Sequence, residues 1–289
     1  MSGWRFSLKQ APALRVDLRS ITPAALAGLS LAEVERLPVG HGNAMLALAE
    51  LFKVEADPYP YPDTDRDPDL QDSLVFDADL SRFDRVGWQL AGGRIRVEGS
   101  AGHYAGGGMR GGELLVKGDA GLMAACEMAG GLLTVNGNVG DFAASTLPGS
   151  MDGMRGGTLI VRGDAGARFG DRMRRGTALV FGNAGDFLAA RMVAGTIAVG
   201  GNAGAHAGYG MRRGSVVFAS PRALHTASGL SPTFVPAIAG ADVIWQLLAR
   251  DLARHGGPFE ALASMRIERH LGDLAAGGKG ELIFTEPRS

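Results

Sequence analysis

A period of 19 residues constrains this chain more than any other feature. The phrase Gly92-Gly93-Arg94-Ile95-Arg96-Val97 returns as Gly111-Gly112-Glu113-Leu114-Leu115-Val116. It returns again from Gly130, Gly156, Arg175 and Ala194, and starts once more at Arg213. The second position is always glycine: Gly93, Gly112, Gly131, Gly157, Gly176, Gly195 and Gly214, with steps of 19, 19, 26, 19, 19 and 19 residues. A fixed period near 20 residues marks a repeat architecture whose units bury their apolar faces against one another. Glycine makes up 45 of 289 residues and is interleaved with Val, Ile and Leu, so it marks corners between short strands rather than a linker.

Two apolar stretches recur in each unit. The first alternates as a half-buried strand does: Ile95 and Val97, Leu114 and Val116, Leu133 and Val135, Leu159 and Val161. The second ends in Met109, Met128, Met154, Met173, Met192 or Met211, each three residues before the fixed glycine, with Leu90 in that place in the first unit. The pattern predicts a mainly β chain. Its architecture would be a right-handed parallel β-helix, a solenoid of about seven 19-residue coils. Coils about 4.8 Å apart would stack the methionines into one buried column. Ser100, Asp119, Asn138, Asp164, Asn183 and Asn202 follow the strands' closing glycines. They are expected to bond their own backbone at sharp corners and to stack as a ladder. The 26-residue step carries a seven-residue excess at Thr146–Asp152, expected as a side loop and a place for partner contact.

The division expected is an N-terminal flank over 1–72, the repeats over 73–220 and a C-terminal extension over 221–289. In the small α/β N-terminal flank, Trp4–Leu8 and Leu14–Leu18 read as strands. Ser30-Leu31-Ala32-Glu33 reads as a capping box before a helix over Leu31–Leu37, which Pro38 ends. Ala44–Val54 fits strand or helix, and Asp57–Asp72, rich in Pro and Asp, reads as a linker. Ser73–Phe76 stands 19 residues before the first clear unit and is expected to be a degenerate first coil. In the C-terminal extension, Ala241–His255 places Ile244, Leu247, Leu248 and Leu252 at helical spacing with Trp245 alongside, an amphipathic helix ended by Gly256-Gly257.

Several chemistries lack their residues. The net charge is −1, which gives no global signal for nucleic acid or membrane. One cysteine, Cys126, cannot build a disulfide framework, a cysteine zinc site or an iron–sulfur cluster. No charge-free, glycine-poor apolar run reaches 18 residues, and the first twelve residues lack a secretory core, so a cytoplasmic protein is expected. Gly106–Gly111 satisfies G-x-G-x-x-G but no helix pattern follows it. The six histidines form no metal-ligand spacing, and His103 and His206 read as turn residues. No catalytic or metal residue is assigned. The sharper candidates are Arg110, Arg155, Arg174 and Arg212, each following a column methionine, with Arg175 and Arg213 one residue on. Stacked coils would align them as a positive edge, either solvated and paired with nearby Asp or able to dock an acidic partner or a polyanionic tail.

The repeats resemble the GXGXG β-helix domain of the glutamate synthase large subunit. Leu37-Pro38-Val39-Gly40-His41-Gly42-Asn43 with Leu51–Val54, and Gly272–Leu282, resemble the opening and closing segments of the C subunit of formylmethanofuran dehydrogenase. The resemblance implies a non-catalytic subunit of a hetero-oligomeric complex. One branch of that family is a bacterial formyltransferase/hydrolase complex, which moves a formyl group from tetrahydromethanopterin to a methanofuran-like carrier and releases formate. The other is an archaeal molybdenum or tungsten dehydrogenase. It also implies that the metals and catalytic centres lie in other subunits, that this chain alone binds no cofactor, and that partners include those subunits and a polyglutamate-type carrier tail. The Arg- and Ala-rich composition leans towards the bacterial branch. A stand-alone β-helix scaffold or enzyme is the alternative.

Overall fold

The computed structural model describes residues 3–57, 73–220, 229–237 and 242–287. The expected linker lies outside the described residues from position 58 onward. The chain is mainly β. The N-terminal flank contains β1 (Trp4–Leu8), β2 (Val16–Asp17), α1 (Pro23–Leu26), α2 (Leu31–Glu35), β3 (Pro38–His41), β4 (Ala44–Ala47), α3 (Leu48–Leu51) and β5 (Phe52–Ala56). The repeats contain β6 (Ser73–Asp77), β7 (Phe83–Asp84), β8 (Arg94–Val97), β9 (Arg110–Val116), β10 (Ala129–Val135), β11 (Arg155–Val161), β12 (Arg175–Val180), β13 (Thr196–Val199) and β14 (Ser215–Phe218). The C-terminal part contains β15 (Val235–Pro236), α4 (Asp242–Ala253), β16 (Arg266–Gly272) and β17 (Gly280–Glu286).

Among the described residues, thirteen strands form one open sheet in the order β15-β16-β17-β14-β13-β12-β11-β10-β9-β8-β6-β1-β5. From β1 to β17 all neighbours are parallel. Each repeat adds one strand, and equal positions pair: Leu114 with Leu133, Leu133 with Leu159, Ala178 with Ile197, Ile197 with Val216. A second column of single parallel bridges links Leu80, Ala101, Ala120, Val139, Ala165, Ala184 and Ala203. The alternation explains which face is inside: Ile95, Val97, Leu114, Val116, Leu133 and Val135 are all buried in one core.

The methionine column is buried throughout, and so is Leu90. It is coupled to the glycine column. The fixed glycines all have positive φ, from +70° at Gly112 to +103° at Gly195. A Cβ on Gly176 would sit 2.7 Å from the Gly157 carbonyl oxygen and 3.0 Å from the Met154 Cε of the coil before. Glycine there supplies both the left-handed turn and the space for the preceding methionine's methyl.

Several expectations are corrected. Ser73 pairs with Arg94 rather than with a residue 19 positions on, so the step before the first clear unit is longer than the repeat. The second N-terminal strand shrinks to Val16–Asp17, and Ala44–Val54 is strand, then one helical turn, then strand. The Ser30–Glu33 capping box is present, and Pro38 begins β3. Helix α4 buries Trp245, Ala249 and Leu252, whereas Ile244 and Leu247 are 69% and 65% exposed. Its contact is with the outer face of the last coils: Ile160, Leu179, Ala198, Val217 and Ile283. Phe259 and Leu262 complete that second core.

Both ends of the stack are closed by aromatic rings. Phe6 stacks on Phe76 at 4.8 Å between centroids, and Phe52 and Phe83 pack beside them. At the other end Phe218 stacks on Phe284 at 5.0 Å. No helix among the described residues is long and apolar enough to cross a membrane.

Candidate functional site: an arginine-lined cleft

The polar corner column forms a ladder between coils. The Asp119 amide donates to Ser100 Oγ at 3.1 Å, Asn138 to Asp119 Oδ1 at 2.7 Å and Asp164 to Asn138 Oδ1 at 2.8 Å. Asn183 donates to Asp164 Oδ1 at 2.6 Å and Asn202 to Asn183 Oδ1 at 2.9 Å. The expected bond to each residue's own backbone is replaced by one to the next coil's amide, because parallel stacking brings that donor within reach. A parallel ladder three residues further on uses His103 Nδ1, Asp141 and Asp186, which accept from the amides of Leu122, Ala167 and Ala205. Burial, then the nearby Arg15, lowers the His103 pKa against the opposing pull of Asp84. His206 instead stacks on Phe187 at 4.8 Å.

Cys126 is fully buried. Burial, then Glu127, pushes its thiol up to about 12, which makes it a packing residue and a poor nucleophile. No group of three or more His, Cys, Asp or Glu able to hold a metal occurs among the described residues. Gly106–Gly111 is a turn with positive φ at Gly106 and Gly108 that leads into strand β9.

The arginine edge is not one continuous stripe. Arg155 pairs across the sheet with Arg175, not Arg174. Ala129 and Gly130 interrupt the column between Arg110 and Arg155, and Val193 stands between Arg174 and Arg212. Arg155 comes within 4.0 Å of Glu127. Arg110, Arg155, Arg175 and Arg213 lie outside the cleft described next.

Arg174 and Arg212 line a cleft of about 470 Å³ with Arg172, Arg191, Met151, Val193, Tyr209, Asp273 and others. Three separate parts of the sequence meet here: the repeats, the Thr146–Asp152 insertion and the closing segment around Asp273. Arg172 and Arg191 were not among the expected residues. The signal was present, since each immediately precedes a column methionine as Arg174 and Arg212 immediately follow one. Both adopt positive φ, +59° and +55°.

The acids nearby are mostly committed. Asp171 is buried and takes Arg191 through both carboxylate oxygens, with Arg168 at 3.7 Å. Asp152 Oδ1 takes Arg174 Nε at 2.5 Å. Asp273 accepts from the Gly210 and Ala275 amides, each at 3.0 Å. Its burial would raise the pKa, but hydrogen bonds from Thr233, Gly210 and Ala275 outweigh that and hold it below the usual carboxylate range. Arg172 Nη1 meets only the Met151 sulfur, at 2.6 Å, among the described residues, and Arg212 has no carboxylate partner there. The cleft offers guanidinium forks without a nucleophile or an acid–base pair. Guanidinium forks of this kind have the geometry that suits carboxylate or phosphate.

No protein-family model matches the chain. The C subunit of the formyltransferase/hydrolase complex Fhc of Methylorubrum extorquens is 43% identical over 88 residues, 30% of this chain and 29% of that protein. The C subunit of the tungsten-containing formylmethanofuran dehydrogenase 2 of Methanothermobacter wolfeii is 32% identical over 100 residues, 35% of this chain and 34% of that protein. Both alignments span well under two thirds of those curated relatives. A chain in the X-ray crystal structure of the Methylorubrum extorquens formyltransferase/hydrolase complex with methylofuran is 41% identical, with a TM-score of 0.87, over 99% of this chain and 100% of that one.

Proposed function

The chain belongs to the family formed by the C subunits of the formyltransferase/hydrolase complex and of formylmethanofuran dehydrogenase, and from that membership we propose that it is the non-catalytic structural subunit of a one-carbon complex. The observation that carries this reading is the end-to-end likeness, both flanks included, to a chain of a solved hetero-oligomeric complex. The hydrolase branch is favoured over the dehydrogenase branch by 43% against 32% identity. In this reading the complex moves a formyl group from tetrahydromethanopterin to a methanofuran-like carrier and releases formate. The metals and catalytic centres lie in other subunits, and the assembly works in the cytoplasm.

We read the stacked coils as a right-handed parallel β-helix, supported by one sheet strand and one bridge per period. The flanks 1–72 and 221–289 close its two ends, and the stack 73–220 is the docking body. The fixed glycines and the ladder from Asp119 to Asn202 hold the corners. The arginine cleft takes an acidic partner surface or the carrier's glutamate-rich tail, and Arg110, Arg155, Arg175 and Arg213 form a looser positive margin.

Native purification with identification of co-purifying chains tests this directly. The expected result is stoichiometric recovery with a formyltransferase-type and a metallohydrolase-type subunit. Recovery as a monomer would favour a stand-alone scaffold.

A further inference from the structure

The Thr146–Asp152 insertion is attached to the rest of the molecule in an unusual way. Its two ends are fixed: the Leu147 amide donates to Glu127 Oε1 at 3.2 Å, and the Gly153 amide to the Arg172 carbonyl at 3.0 Å. Just before it, Ser145 is buried and its hydroxyl donates to the Phe142 carbonyl at 2.5 Å. Between those anchors the bonds at 148–152 are local. The Ser150 amide donates to the Leu147 carbonyl, and the Asp152 amide lies 3.3 Å from Ser150 Oγ. The only polar contacts from this tip to the repeats, among the described residues, go to two cleft arginines: Asp152 to Arg174 and Met151 to Arg172. Met151 is 65% exposed, and Gly149 has φ +85° with open space around it.

The geometry points to the insertion as an internal carboxylate arm: Asp152 occupies Arg174 in place of an external anion and is displaced when an acidic chain enters the cleft. This rests on the reading that the cleft binds acidic chains. The exposed Asp152–Arg174 pair is the kind whose net contribution is small, so an incoming carboxylate can exchange with it at little cost. Arg191, in contrast, is held by the buried Asp171 and stays in place. The arm therefore selects by valency. A single carboxylate merely replaces Asp152 at Arg174, whereas a chain of several carboxylates also reaches Arg212 and Arg172 and gains from both. Releasing Asp152 leaves Met151–Arg172 as the tip's remaining polar tie to the repeats among the described residues, and a second carboxylate that takes Arg172 removes that tie and frees the tip.

The test uses the natively purified assembly, a fluorescein-labelled hexaglutamate peptide at low salt and anisotropy to read affinity, with hydrogen exchange at the amides of 149–151. Asp152→Asn should bind about two- to fivefold tighter than wild type, and Arg212→Ala should weaken binding in both backgrounds. Adding the peptide to wild type should speed exchange at 149–151. Equal or weaker binding by Asp152→Asn, or slowed or unchanged exchange while wild type binds, overturns the arm but leaves the cleft reading intact. Binding by Asp152→Asn alone would support the arm in its strongest form. Failure of both proteins to bind would sink the cleft reading and the arm with it.

Discussion

At the scale of single residues, the coupling of methionine to glycine is what fixes one coil on the next. Replacing Gly176 by alanine asks an L residue to hold φ +93° and puts its Cβ against the Gly157 carbonyl and the Met154 methyl. The conformational part alone costs about 1–2 kcal/mol, and the clash adds to it. Gly149 has a similar φ, +85°, but open surroundings, so Gly149→Ala should cost only the conformational part. Urea titrations of the two variants separate the terms, with Gly176→Ala the less stable. Met173→Ala empties a fully buried position and should cost about 2–5 kcal/mol. Cys126 provides a chemical check. With its thiol pushed up to about 12 by burial and then Glu127, it should resist a disulfide reagent at neutral pH in the folded protein and react in denaturant. These columns were legible in the sequence because a repeat prints the same physical demand at the same offset every time. The target of the Asx bonds was not legible. The offset shows that a short polar acceptor is wanted but not whether its donor lies on the same chain turn or on the coil above.

At the scale of elements, the closing segment near Asp273 is fastened to the last coil by the bond from the Gly210 amide. Burial would raise the folded pKa of Asp273, but its hydrogen bonds hold it below the usual value. A depressed folded pKa gives stability that is present above the unfolded value, about 3.9, and is lost as pH falls through the folded one. Acid unfolding of the C-terminal part should therefore begin below about pH 4, and Asp273→Asn should remove that component of the acid transition, as read by circular dichroism against pH. Helix α4 shows why a helical period alone misled. Ile244 and Leu247 fit the spacing, yet Trp245 and Ala249 face the sheet. The partner surface was in the sequence all along: the outward positions change from Arg96, Leu115 and Thr134 in early coils to Ile160, Leu179, Ala198 and Val217 in later ones. The later units present an unbroken run of apolar outward residues for a helix to cover, whereas Arg96 and Thr134 interrupt it in the early ones.

At the scale of the molecule, the repeats supply a stack whose ends would otherwise offer bare strand edges. The C-terminal strand β17 pairs with β14, and Thr285 Oγ1 bonds the Phe218 carbonyl at 2.9 Å. A chain truncated before residue 266 should expose that edge and aggregate, visible in size-exclusion chromatography. The arginine edge was half legible. Arg174 and Arg212 reach the cleft, whereas Arg172 and Arg191, marked in the sequence only by the methionine that follows each, enter it through left-handed turns, and Asp273 arrives from a distant segment. We propose that this chain organises a catalytic assembly without carrying its chemistry. This is tested most directly by assaying formyl transfer and formate release in the natively purified assembly and in the isolated chain. Turnover by the assembly and none by the isolated chain at equal concentration is the expected result. Turnover by the isolated chain would contradict it.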